Sequence, residues 1–253
     1  MDLGLKGKSA VLTGGASGLG RETARYLVRE GCKVLIADRN EKTLAEASDE
    51  LRKMGGQVSS IKVDVTNYAD CERMAAQALK DFGGIDVLLA GAGVSAPGAF
   101  FVDSQPGDWT AMLDINIRGV LNTNRACAPI MVQKKSGSII NIASEAGKVG
   151  EKRIVVYSAT KGAVMSFSKA FALEMGRFNI RVNAVCPGVT RTPMTLGYGG
   201  PGDDIYQKAS KFYPMGRLGE PEDIAAMIVM LASSQTTWVT GQCISVSGGF
   251  GRS

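Results

Sequence analysis

The segment SAVLTGGASGLG, Ser9 to Gly20, decides how this chain folds. Ser9–Leu12 reads as a short strand, and a helical pattern runs from about Leu19 to Glu30. Gly14, Gly18 and Gly20 therefore lie in a turn between a strand and a helix. Glycine lets the backbone turn sharply and come close to a pyrophosphate. The helix behind it offers unpaired N–H groups and the positive end of its dipole. The spacing is GxxxGxG rather than GxGxxG. Alone it would describe only a tight turn; at the head of an alternating chain it marks a candidate dinucleotide site.

The alternation continues outward from that turn. Short apolar runs at Lys33–Ala37, Val58–Val63, Val87–Ala90, Ser138–Ala143, Arg181–Cys186 and Gln242–Val246 read as buried strands. Between them, helical patterns cover Glu41–Met54, Asn67–Phe82, Tyr157–Phe178 and Pro221–Leu231. Pro106–Lys135 holds two helices or one bent helix. Strands alternating with amphipathic helices predict an α/β fold: one Rossmann-type, doubly wound domain over residues 1–253, with about seven parallel strands and helices on both faces. Pro187 to Pro214 is rich in Gly and Pro and lacks periodicity, so a substrate lid is expected at about 189–213.

Asp38 closes the second predicted strand, eighteen residues after Gly20. A carboxylate there accepts hydrogen bonds from both adenosine ribose hydroxyls and repels the extra phosphate of NADP. Ser17 is neutral where a basic residue would favour NADP, but the Arg39 guanidinium is able to bind that phosphate. NAD is the expected cofactor, and Arg39 leaves NADP open.

Tyr157 and Lys161 stand four residues apart on one helix, so phenol and ammonium share a face. A fixed positive charge favours the phenolate and lowers its pKa from about 10, which makes Tyr157 a candidate proton-transfer group. Ser144 precedes it by thirteen residues.

Composition narrows the classes. The 253 residues are 45% hydrophobic and 21% charged, enough for a sizeable core. The chain has no His and no CxxC pair, which excludes a His-containing metal site and a Cys–His nucleophile; no metal is expected. Five scattered Cys read as reduced thiols of a cytoplasmic protein. The net charge of +5 suits an anionic ligand, but Lys and Arg form no long run, so no nucleic-acid partner is expected. Met1–Lys8 has no apolar signal core, and no apolar run is long enough for a membrane span.

These residues together resemble the short-chain dehydrogenase/reductase family along nearly the whole chain. TGxxxGxG is Thr13–Gly20, including Leu19; the acidic–apolar pair beside the adenine is Asp64–Val65; the active-site Asn matches Asn116 in DINIRG. The catalytic Ser matches Ser144 in NIAS, YxxxK matches Tyr157 and Lys161, and PGxxxT matches Pro187, Gly188 and Thr192, with Val189 in the same segment. One motif departs: where the family has NNAG, this chain has Ala90-Gly91-Ala92-Gly93, which removes two Asn side chains but leaves Ala92 and Gly93 at the cofactor.

The resemblance implies hydride transfer between NAD and a secondary alcohol or ketone. Tyr157 would act as general base or acid, Lys161 would acidify it and bond the nicotinamide ribose, and Ser144 would hold the substrate oxygen. Asn116 would fix a water that relays protons from Lys161. Met194, Leu196, Tyr198, Tyr206, Phe212 and Tyr213 of the lid, with Val94, Pro97, Val149, Ile154 and Val155, are candidates for an apolar wall. Lys148, Lys152, Arg153 and Arg191 flank the pocket, where they would bind an anionic substrate. SEAGKVG and GQCISVSGG look like members acting on β-hydroxyacyl-CoA thioesters. The alternatives are an NADPH-dependent 3-oxoacyl thioester reductase and a catalytically silent dinucleotide-binding subunit of a hetero-oligomer. The resemblance also implies a homotetramer.

Overall fold

The computed structural model describes residues 1–95, 98–196 and 205–251. Its strands are β1 (Ser9–Thr13), β2 (Lys33–Asp38), β3 (Gln57–Lys62), β4 (Val87–Ala90), β5 (Gly137–Ile142), β6 (Ile180–Pro187) and β7 (Cys243–Val246). The helices are α1 (Gly18–Arg29), α2 (Glu41–Lys53), α3 (Tyr68–Phe82), α4 (Pro106–Leu113), α5 (Gly119–Lys134), α6 (Glu145–Val149), α7 (Val155–Met175), α8 (Pro193–Leu196), α9 (Ile205–Ser210) and α10 (Pro221–Ala232). All strand pairings are parallel, in the order β3-β2-β1-β4-β5-β6-β7.

Alternation along β1 sets the two faces. Ala10 and Leu12 pack with Leu27, Val28, Ile224 and Ile228 of α1 and α10. Val11 points the other way, into a cluster with Met74, Met131, Ile139 and Val182 under α3 and α5. Both faces are covered, which is why the strands read as continuous apolar runs.

Strand order reverses between β1 and β4. The chain builds outward to β3, then crosses back to pair β4 with β1. The loops after these two strands must part there, which opens a crevice at the carboxyl ends of the strands.

Pro106 to Lys134 is continuous helix, with a single π-helical turn at Asp114–Arg118 joining α4 to α5. Of the two readings of this stretch, one interrupted helix is the arrangement found. α6 was not expected: it has five residues, one of them Gly, and Ser144 caps it. The stretch expected as a lid carries the short helices α8 and α9. Among the described residues no helix is long and apolar enough to cross a membrane.

Candidate active site

The crevice holds a cleft of about 1230 Å³. Gly14, Ser17, Gly18, Leu19, Gly20, Asp38, Arg39, Asp64, Val65, Ala92, Gly93, Ser144, Tyr157, Lys161, Pro187, Gly188, Val189 and Thr192 all line it. Asn116 does not: it is wholly buried behind the wall.

One end is the glycine turn. A Cβ on Gly20 would sit 2.1 Å from the Gly14 carbonyl oxygen, so only glycine lets α1 start this close to the turn. Gly14 has φ +68 and packs against the backbone of Gly91 and Ala92. The Ser17 hydroxyl makes no capping hydrogen bond, leaving the first N–H groups of α1 for an anion. A pyrophosphate fits this cradle, because the N–H groups at the head of α1 are left without a capping side chain.

Asp38 ties the turn to the sheet. Its Oδ2 accepts from Ala16 N–H at 3.3 Å and its Oδ1 from Asn40 N–H at 3.1 Å. Each oxygen keeps a lone pair for a ribose hydroxyl. Asp64 Oδ1 accepts from Thr66 N–H and Oγ1, at 2.9 and 2.8 Å. Asn122 of α5 donates to the Val65 carbonyl at 2.9 Å, and Gly119 leaves room for the Val65 side chain, which a Cβ there would meet at 2.5 Å.

The departure from NNAG has a structural reason. Ala90 packs into an apolar cluster with Val120, Ala143, Val164, Ala184 and Cys186. A Cβ on Gly91 would lie 2.9 Å from the Thr13 carbonyl oxygen. Thr13 Oγ1 instead accepts from Gly91 and Ala92 N–H, at 3.2 and 3.4 Å. The loop is held from β1, and neither Asn is needed.

At the other end, Lys161 is 3% exposed and its ammonium donates to the Ile142 carbonyl at 2.9 Å. Its Nζ stands 5.7 Å from the centre of the Tyr157 ring. Burial pulls its pKa down to about 8. The ammonium is still mostly protonated at neutral pH, so a positive charge stands beside the phenol. Ser144 Oγ accepts from Ala146 N–H at 3.2 Å and caps α6, which fixes the hydroxyl at the cleft wall.

Asn116 sits in the π-helical turn. Its Oδ1 accepts from Val94 N–H at 2.8 Å, and its Nδ2 donates to the Val94 carbonyl at 2.9 Å and to Thr160 Oγ1 at 3.1 Å. Thr160 in turn donates to the Tyr157 carbonyl at 2.7 Å. Both amide protons are thus spent on protein atoms, while Oδ1 keeps a second lone pair as an acceptor. Asn116 is a brace between the β4 loop and the Tyr157 turn.

The substrate end differs from the expected wall. Val94, Ile154 and Met194 line it. Val149, Val155 and Phe212 do not; they are 51%, 45% and 74% exposed. Tyr213 is buried, and its hydroxyl accepts from Val189 N–H at 2.8 Å, so it anchors the cofactor segment from below. Pro97, Tyr198 and the side chains of Leu196 and Tyr206 lie outside the described residues. Of the four flanking cations only Arg153 lines the cleft. Lys148 donates to Ser245 Oγ, and Arg191 pairs with Glu220 at 3.2 Å. Two carboxyl groups that sequence reading did not single out, Glu145 and Glu151, also line it.

With this geometry in view, the family described as Enoyl-(Acyl carrier protein) reductase matches residues 14–251. The chain belongs to the short-chain dehydrogenase/reductase family of oxidoreductases. It is 39% identical to 2,5-dichloro-2,5-cyclohexadiene-1,4-diol dehydrogenase of Sphingobium indicum, covering 97% of both chains. It is 35% identical to a subunit of (2S)-((R)-hydroxy(phenyl)methyl)succinyl-CoA dehydrogenase of Thauera aromatica, covering 98% of both. Among solved structures, 3-ketoacyl-(acyl-carrier-protein) reductase of Brucella melitensis, in complex with NADH, superposes with a TM-score of 0.90 at 30% identity, over 97% of this chain and 99% of that one.

Proposed function

We propose that this short-chain dehydrogenase/reductase interconverts a secondary alcohol and its ketone with NAD as cofactor. The observation that carries the reading is the buried Lys161 ammonium over the Tyr157 ring, in one cleft with Ser144 and the glycine turn.

Gly14, Gly18 and Gly20 would hold the pyrophosphate, Asp38 the adenosine ribose, Asp64 and Val65 the adenine side, and Pro187, Gly188, Val189 and Thr192 the nicotinamide end. Bound there, the nicotinamide supplies the hydride acceptor or donor. In oxidation the Tyr157 phenolate takes the alcohol proton, and in reduction the phenol returns it. Lys161 keeps the phenolate accessible by its charge. The Ser144 hydroxyl bonds the substrate oxygen where charge develops. Asn116 acts as a positioning residue. Asp38 favours NAD, although Arg39 shares the cleft wall.

An uncharged substrate fits better than a β-hydroxyacyl-CoA thioester. Arg153 alone of the four candidate cations lines the cleft, and it shares that end with Glu145 and Glu151. The Thauera relative, named for a CoA substrate, favours the thioester as the second reading. Steady-state assays of cyclic secondary alcohols against 3-hydroxyacyl-CoA, with NAD and with NADP, separate the two. The expected result is turnover of a free alcohol with NAD. Turnover of acyl-CoA alone, or with NADP alone, would reverse it.

We further propose a homotetramer, on the observation that Leu121 of α5, Leu173 of α7 and Trp238 are 41%, 86% and 98% exposed. Light scattering would contradict it by returning a monomer.

A further inference from the structure

Glu145 follows Ser144 directly and is 1% exposed. Both carboxyl oxygens are buried, without a hydrogen-bond partner among the described residues. That is costly: a buried polar group left unpaired gives up its bonds to water with nothing in return, and the cost is greater if it is charged. The described surroundings offer no relief. Gly251 of the C-terminal tail lies directly on the carboxyl group, since a Cβ there would stand 1.7 Å from Oε2. Phe250 holds that tail by stacking on Tyr213, with ring centres 5.1 Å apart. The second carboxyl at this end, Glu151, has its pKa raised by burial and then by the charge of Glu145. Neither acid has a described cation paired with it, although both residues line the cleft.

An acceptor kept unpaired beside the residue that holds the reacting oxygen points to a donor that arrives with the ligand. We propose that Glu145 sets substrate choice by accepting a hydrogen bond from a second hydroxyl of the substrate, so that diols are preferred over the corresponding mono-alcohols. This rests on the alcohol-dehydrogenase reading above and adds the substrate class. Reaching the second hydroxyl requires the carboxyl group to turn from beneath Gly251 toward the cleft.

The test compares wild type, Glu145→Gln and Glu145→Leu on cyclohexanol and on cyclohexane-1,2- and 1,4-diol with NAD, together with thermal melting of each protein. A site built to bond a hydroxyl discriminates strongly against the analogue lacking it. In Glu145→Leu the ratio of kcat/KM for the better diol to that for cyclohexanol falls tenfold or more. Glu145→Gln, which keeps one acceptor oxygen, retains most of it. Glu145→Leu also melts at or above the wild-type temperature, because an unpaired buried acceptor is gone. An unchanged ratio in Glu145→Leu, or a melting temperature several degrees lower, would overturn the proposal. Should wild type turn over no alcohol, the dehydrogenase reading fails, and the melting comparison still decides whether Glu145 is an unpaired group.

Discussion

At the scale of single residues the account turns on Tyr157, Lys161 and Asp38. Tyr157→Phe removes only the transferable proton, so kcat drops about a thousandfold while NADH binding, followed by fluorescence, stays close to wild type; retained kcat would remove Tyr157 from the chemistry. Lys161 makes a stability prediction. Its folded pKa of about 8 lies below the ordinary 10.5. Below both values the lysine is charged in either state, and the fold carries the whole cost of burying it. Between them the unfolded chain binds more protons, so this residue's contribution rises with pH. The full span is worth about 3 kcal/mol at most. Lys161→Met lacks that cost and is expected to be at least as stable as wild type toward urea at pH 7, less what the lost bond to Ile142 contributed, with the difference shrinking toward pH 10. A Met variant clearly less stable at pH 7 contradicts this. For Asp38→Ser the ratio of kcat/KM for NADP over NAD rises at least tenfold, because the repulsion goes and Arg39 stays; no change would place the adenosine ribose elsewhere. The spacing of Tyr157 and Lys161 carried their partnership openly in the sequence. Glu145 was hidden, because its neighbours Gly251 and Tyr213 are remote in sequence, and no local pattern announces an unpaired carboxyl.

Among elements, the strands were the most legible, since a parallel strand buried on both faces must be apolar throughout. The boundaries of β2 and β4 differ from the apolar runs by no more than one residue. The π-helical turn at Asp114–Arg118 was legible only as a bend within Pro106–Lys135, because DINIRG carries no Pro or paired glycines to mark its kind and extent. The long-range bonds of Asn116 to Val94 and Thr160 tie it to the β4 loop and to α7. Those bonds set the cost of removing them. Asn116→Ala takes the side-chain partner from the part-buried Val94 N–H and carbonyl, and is expected to destabilise the protein by about 1–3 kcal/mol in urea unfolding. It also lowers kcat/KM by loosening the loop against the Tyr157 turn. A loss under about 0.5 kcal/mol would mean that the brace is not needed. At the head of α1, Gly20→Ala forces the helix off the Gly14 carbonyl. NADH affinity measured by calorimetry falls tenfold or more, and unchanged affinity would show that the cradle does not hold the pyrophosphate.

Across the whole molecule, strand order explains why residues as distant as Gly14, Asp38, Ser144, Tyr157 and Thr192 share one cleft. The reversal between β1 and β4 parts the loops at the carboxyl ends of the central strands, and every other segment of the candidate site follows the carboxyl end of a strand or packs beside it. That convergence was legible as alternation plus motif order. The apolar lid wall was not: Tyr213 turned inward to hold Val189, while Phe212 turned outward. The account's central claim is that this architecture sets an acidified phenol beside a buried ammonium. A near-ultraviolet titration of phenolate absorbance, run on wild type and on Tyr157→Phe, tests it directly. The chain has six Tyr. The account predicts that one phenolate forms in wild type clearly below the ordinary pKa of about 10 and is missing from the variant. Identical curves for the two proteins, with every phenol titrating at or above that value, would contradict it.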